Sequence, residues 1–149
     1  MKTLIHKTFF LACAFMLAFS ANAQQAKEID THKDFGDYRV IFSVFNSDFL
    51  TPEIASNYNL VRAKDRVYVN VAVVKKGEAK GLPAKISGQA SNLMQQRRPL
   101  EFIEVREKDA VYYLAPLRYN DEETLTFRIE VELPNGEVAQ VDFRRKLDK

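Results

Sequence analysis

The residue types that do chemistry are scarce in this chain. It holds two histidines and one cysteine in 149 residues. His6 and Cys13 fall in the N-terminal segment, which leaves His32 for everything after it. A Ser-His-Asp triad or a multi-histidine metal site would have to recruit that single side chain. A general base must also be held within hydrogen-bond reach of its partner, and His32 stands in a polar stretch without periodicity. No catalytic residue and no metal ligand is therefore assigned. Carboxylates are more plentiful, and Glu101 with Glu104 and Glu130 with Glu132 are spaced as pairs. Alternate positions on a strand put Glu130 and Glu132 on one face beside Arg128, which reads as a solvated charged face before it reads as an acid/base pair. The five glycines are scattered, and none builds a phosphate-cradling turn. No cofactor is implied. The basic clusters Arg97-Arg98 and Arg144-Arg145-Lys146 are shorter than nucleic-acid patches and read as solubilising charge.

The first 23 residues have the layout of a cleavable signal peptide. Lys2, His6 and Lys7 are a basic start, Phe9 to Phe19 is an uncharged apolar run, and Ala21-Asn22-Ala23 offers small residues at a cleavage site. The run is about 11 residues long, against the ~20 that span a bilayer. A lipid-modified cysteine would follow the apolar run, whereas Cys13 lies inside it. Cleavage after Ala23 leaves 126 of the 149 residues, with 20 basic against 20 acidic side chains once Lys2 and Lys7 are gone. A neutral domain lacks the bulk charge for unspecific nucleic-acid or anionic-membrane binding. The mature chain would have no cysteine, so its stability must come from packing and strand pairing.

The elements that must position any site are strands. Gln24 to Gly36 reads as a flexible lead-in, and residues 37–149 as one β domain. Short alternating runs follow one another with turn residues between them: Tyr38–Ser47, Arg66–Lys75, Leu82–Ala90, Pro99–Arg106, Ala110–Leu117, Thr124–Leu133 and Glu137–Arg145. In the first run Tyr38, Val40, Phe42 and Val44 share a face while Ile41 and Phe45 sit on the other, so both faces are partly covered. Pro99–Arg106 and Ala110–Leu117 alternate less regularly and suggest a bulge or an edge. The expectation is an all-β, immunoglobulin-like antiparallel β-sandwich of about seven strands with one short helix, with a small barrel as second choice. Thr51 would cap that helix, Pro52 suits its first position and Glu53 its dipole, with Ile54, Ala55 and Tyr58 inward. Leu133-Pro134-Asn135-Gly136-Glu137 predicts a three-residue hairpin loop with Gly136 in the left-handed position. That loop sets Val131 opposite Ala139, Ile129 opposite Val141, Phe127 opposite Phe143, and Arg128 opposite Asp142.

The segment from Phe45 to Arg62 joins two strands by some twenty residues, which is long for a small sandwich. It serves either as an apolar plug over one end of the core, with Phe49 and Ile54 buried, or as a surface that meets a ligand or partner. On the second reading the candidate binding residues are Asn46, Asp48, Phe49, Tyr58 and Arg62.

That segment, with Arg66-Val67-Tyr68-Val69-Asn70-Val71 and Glu104-Val105-Arg106-Glu107-Lys108-Asp109-Ala110-Val111-Tyr112-Tyr113, resembles domain-of-unknown-function family 4426. The resemblance spans most of the mature chain and implies a small exported proteobacterial protein of the periplasm. It brings no catalytic residues with it.

These features favour a non-enzymatic binding or accessory module whose partner is another envelope protein, with no nucleic acid and no integral membrane span after cleavage. The alternatives are a carboxylate-based hydrolase or lyase, which needs two acids converging in a cleft with their pKa values pushed apart, and a carrier of a small apolar ligand, which needs a cavity.

Overall fold

A computed structural model describes residues 30–148. Nine strands run in chain order: β1 (His32–Phe35), β2 (Tyr38–Asn46), β3 (Arg66–Lys75), β4 (Lys85–Ser91), β5 (Arg97–Leu100), β6 (Ile103–Glu107), β7 (Ala110–Arg118), β8 (Glu123–Glu132) and β9 (Val138–Leu147). All neighbours pair antiparallel, in a five-stranded sheet of order β1-β2-β3-β7-β6 and a four-stranded sheet of order β5-β4-β8-β9. The architecture is the expected all-β, immunoglobulin-like sandwich. Cleavage after Ala23 and the fate of Cys13 concern residues outside those described.

The inner faces meet through the alternation read from the sequence. Val40 and Phe42 of β2 and Val67, Val69, Val71 and Val73 of β3 face Phe127, Ile129 and Val131 of β8, all at most 1% exposed. Phe143 of β9 stacks on Phe42 at 4.8 Å and on Phe127 at 4.9 Å between ring centroids, which ties the two sheets together at mid-core. Offset aromatic stacking of this kind adds to the area the rings bury.

The β8–β9 hairpin has the predicted register. Val131 pairs with Ala139, Ile129 with Val141, Phe127 with Phe143 and Arg128 with Asp142. The Leu133 N–H donates to the Glu137 carbonyl at 2.8 Å, the Gly136 N–H donates to the Leu133 carbonyl at 2.9 Å, and Gly136 takes φ 86°. The Arg128 guanidinium reaches Asp142 at 3.3 Å across the strands.

Three expectations need correction. His32–Phe35 is a strand and not lead-in, because a two-residue turn at Gly36-Asp37 folds it back on β2, with Gly36 at φ 56°. Its Asp34 lies opposite Arg39, which donates to it at 2.7 and 3.0 Å and lowers the carboxyl pKa through that hydrogen bond. Pro99–Arg106 is two strands and not one: β5 ends at Leu100 in the four-stranded sheet, and β6 starts at Ile103 in the other. Pro99 costs nothing in β5, an edge strand that owes no N–H on its outer side. The seven expected strands become nine through these two changes, and Leu82 falls outside β4, which starts at Lys85.

The third correction concerns the long connection. It does not plug an end of the sandwich. It lies across the outer face of the five-stranded sheet, where Leu50, Ala55 and Leu60 pack on Tyr68, Val105 and Leu114 as a second apolar cluster. Phe49 is 78% exposed and not buried, and Ile54 is half-buried. The helix itself forms as read. α1 (Pro52–Asn57) has Pro52 in its first turn, and the Thr51 hydroxyl accepts from the Ile54 N–H at 3.3 Å. One and a half turns cannot bury both sides, so Ala55 takes the sheet and Ile54 takes the flank.

Candidate functional site

The outer face of a sandwich sheet is normally polar. Here that face carries Ile41 and Phe45 from β2, Tyr68 and Ala72 from β3, and Tyr112 and Leu114 from β7. This is more apolar surface than the connection covers. Between the turn Ser47–Phe49, α1, the sheet and the β3–β4 loop at Ala79 and Gly81 lies a groove of about 500 Å³. Among the described residues its lining side chains are apolar except for Thr51, Asn70 and the Tyr112 hydroxyl, and none is charged.

Long-range hydrogen bonds hold the walls in place. Ser47 is fully buried, and its hydroxyl donates to the Ala63 carbonyl at 2.7 Å while accepting from the Ala63 N–H at 2.8 Å. The Tyr58 hydroxyl donates to the Arg106 carbonyl at 2.9 Å and accepts from the Arg106 N–H at 3.2 Å, so α1 is fastened to β6. The Tyr68 hydroxyl donates to the Val61 carbonyl at 3.0 Å. On the far wall, the Gly81 N–H donates to the Asp109 carbonyl at 3.0 Å, and a Cβ at Gly81 would stand 2.7 Å from the Val111 carbonyl oxygen. Only glycine permits that approach.

Asn70 stands in the floor, at the centre of β3, flanked by Ser43 of β2 and Leu114 of β7. Its Oδ1 is buried and has no hydrogen-bond partner among the described residues. An orphaned buried polar atom of this kind typically costs ~1–3 kcal/mol, and native proteins keep few of them.

Of the five candidate residues read from the sequence, Phe49 alone lines this groove, at its mouth. Tyr58 anchors α1, and Arg62 donates to the Asp48 carbonyl at 3.1 Å. Both therefore fix the shape of the connection. The Asn46 and Asp48 side chains are exposed on its turn. Sequence reasoning missed Asn70, Ala72 and Gly81. The signal for the first two was present in β3, where Tyr68 and Ala72 put apolar groups on the face opposite the valines.

The acidic pairs do not converge. Glu132 meets Lys85 at 3.6 Å, and Glu130 is exposed beyond it. Glu104 is ion-paired with Arg106 and accepts from the Tyr113 hydroxyl at 3.0 Å. Those two hydrogen bonds, Arg106 first, lower its pKa and hold it ionised. Among the described residues no group of three or more His, Cys, Asp or Glu is placed to hold a metal ion. No helix among them is long and apolar enough to cross a membrane.

Fold and groove together define a β-sandwich domain with one accessory-covered sheet. The chain belongs to the domain-of-unknown-function family DUF4426, whose model matches residues 32–148. A solved DUF4426 family protein from Pseudomonas aeruginosa PAO1 is 37% identical, with a TM-score of 0.73 over 78% of this chain and 93% of that one. More distant in sequence is FetP of uropathogenic Escherichia coli strain F11. Its copper-bound variant is 13% identical, with a TM-score of 0.57 over 77% of this chain and 92% of that one. FetP as isolated, expressed in the periplasm of E. coli, is 12% identical, with a TM-score of 0.56 over 78% and 92%. At that identity the likeness is one of fold. No curated protein matches the chain.

Proposed function

We propose that the mature domain is a non-enzymatic binding module of the cell envelope, exported to the periplasm, whose binding site is the groove on the outer face of the five-stranded sheet. The observation that carries this reading is an uncharged, apolar groove of about 500 Å³ in walls pinned by Ser47 and Tyr58. Ligand sites are concave and mostly apolar, of ~300–1,000 Å³, with a few placed polar groups. The carboxylates support the same reading. The shifted ones, Asp34 and Glu104, are both lowered by arginine partners, whereas an acid catalyst needs a raised pKa. Copper binding is a property of FetP and is not carried over to this chain.

The test uses the processed protein with Nile red, a neutral dye that fluoresces in apolar surroundings. Binding should be saturable. Ala72→Phe, which fills the floor of the groove, should abolish it without lowering the denaturation midpoint. A dye signal that survives Ala72→Phe would place binding elsewhere. Intact mass of the periplasmic product checks export: a chain that starts at Gln24 is expected, and one that retains residues 1–23 or carries lipid on Cys13 contradicts the reading.

A further inference from the structure

The groove has a polar feature that an apolar slot does not need, and it narrows the ligand. We propose that the site takes a neutral single-chain amphiphile, an alkyl chain ending in a hydroxyl or primary amide, with the head group hydrogen-bonded to the side-chain amide of Asn70. The inference rests on the groove being the binding site.

Three observations carry it. First, Asn70 lies in the floor between Ser43 of β2 and Leu114 of β7, with its Oδ1 buried and, among the described residues, unpartnered. An amide offers two donors and two acceptor lone pairs. A hydroxyl or a second amide both donates and accepts, so it pairs with whichever end of the amide, Nδ2 or Oδ1, turns toward the groove. Second, no charged side chain among the described residues lines the groove. A carboxylate or ammonium head would lose its hydration there with no counter-charge to offset the loss. A neutral head meets no such cost. Third, Phe49 lines the mouth while being 78% exposed. An alkyl chain leaving the floor toward the mouth would cover that ring, which the described residues leave open.

The experiment measures displacement of Nile red from the processed protein by 1-hexanol, 1-octanol and 1-decanol, by n-alkanes of matching heavy-atom count, and by decanoate at pH 8. Each added methylene should tighten binding roughly fourfold until the groove is full. Asn70→Leu keeps the branched skeleton of the side chain and removes the amide. It should lower the alcohol-to-alkane affinity ratio on the order of tenfold, because the hydroxyl then enters without a partner. Decanoate should compete far more weakly than 1-decanol. An alcohol-to-alkane ratio that Asn70→Leu does not change overturns the assignment of Asn70, and decanoate competing as well as 1-decanol overturns the neutral head group. Both results leave the groove as a binding site, provided that Ala72→Phe still blocks the dye. No dye binding to the wild-type protein would end both readings together. Asn70→Ala gives the same ratio readout should Asn70→Leu fold poorly.

Discussion

The hydroxyl of Ser47 donates to the carbonyl of Ala63 at 2.7 Å and accepts from the N–H of the same residue at 2.8 Å, closing the long connection into a loop with its ends tied. One fully buried side chain satisfies both backbone groups of a residue sixteen positions away. Ser47→Ala leaves the Ala63 N–H without its partner, while the Ala63 carbonyl keeps the Arg66 N–H at 3.1 Å, and such an unsatisfied group typically costs ~1–3 kcal/mol. We expect a loss of stability of at least ~1 kcal/mol in urea denaturation, with faster amide exchange across residues 47–63. An unchanged midpoint and unchanged exchange would show the clasp to be idle.

Phe49 and Ile54 separate stability from binding. Phe49 is 78% exposed, so Phe49→Ala should change stability by under ~0.5 kcal/mol, as surface substitutions do. Ile54 is half-buried on the flank of the groove, and Ile54→Ala should cost less than the ~2–5 kcal/mol of a fully packed site. Both should weaken Nile red binding severalfold. A large stability loss for Phe49→Ala would mean that the ring packs inward in solution.

Two glycines should fail for different reasons. A Cβ at Gly81 would press on the Val111 carbonyl oxygen at 2.7 Å, and the obstacle is the Val111 backbone. Gly136 has open space but a φ of 86°. Gly81→Ala should lose ~1–3 kcal/mol, as overpacking does, and deform the groove wall. Gly136→Ala should lose ~1–2 kcal/mol through the left-handed backbone and leave dye binding intact. Equal effects on dye binding would contradict the placement of Gly81 in the wall.

The alkaline limit of the fold should be set by tyrosines. Burial raises the pKa of Tyr112, Tyr113 and Tyr119 above the ordinary value of 10.0. For Tyr113, the accepted bond from the Ala84 N–H lowers the pKa and the bond to Glu104 raises it further. Groups whose native pKa is raised contribute stability that is complete below the unfolded pKa and lost as pH rises through the folded one. Stability should therefore fall as pH rises above about 10. Absorbance at 295 nm should show part of the phenolate signal delayed and appearing together with unfolding. Ionisation of all six tyrosines at one ordinary pKa would exclude the effect.

How much of this was legible follows from how far each feature reaches along the chain. The β8–β9 register follows from five consecutive residues, Leu133 to Glu137, because a turn type dictates which residues face each other. The helix start is equally local: Thr51, Pro52 and Glu53 satisfy the N-terminal groups of their own turn. Even the second apolar face of β2, Ile41 and Phe45, was visible in the alternation. The turn at Gly36-Asp37 was also local, but its strand is four residues long and mostly polar, so no periodicity marked it.

Tertiary structure alone decided the rest. Nothing in Leu100-Glu101-Phe102-Ile103 says that β5 and β6 part company into different sheets, since that depends on which edge is free at each side of the sandwich. Nor does the order Phe49, Leu50 say which ring or chain is covered: Leu50 is 6% exposed and its neighbour 78%. Burial is settled by what stands opposite, and here that is Tyr68 and Leu114, residues distant along the chain. The groove is the remainder of the same contest. The outer face of one sheet carries more apolar surface than its own connection can cover, and Asn70 was left in the uncovered part.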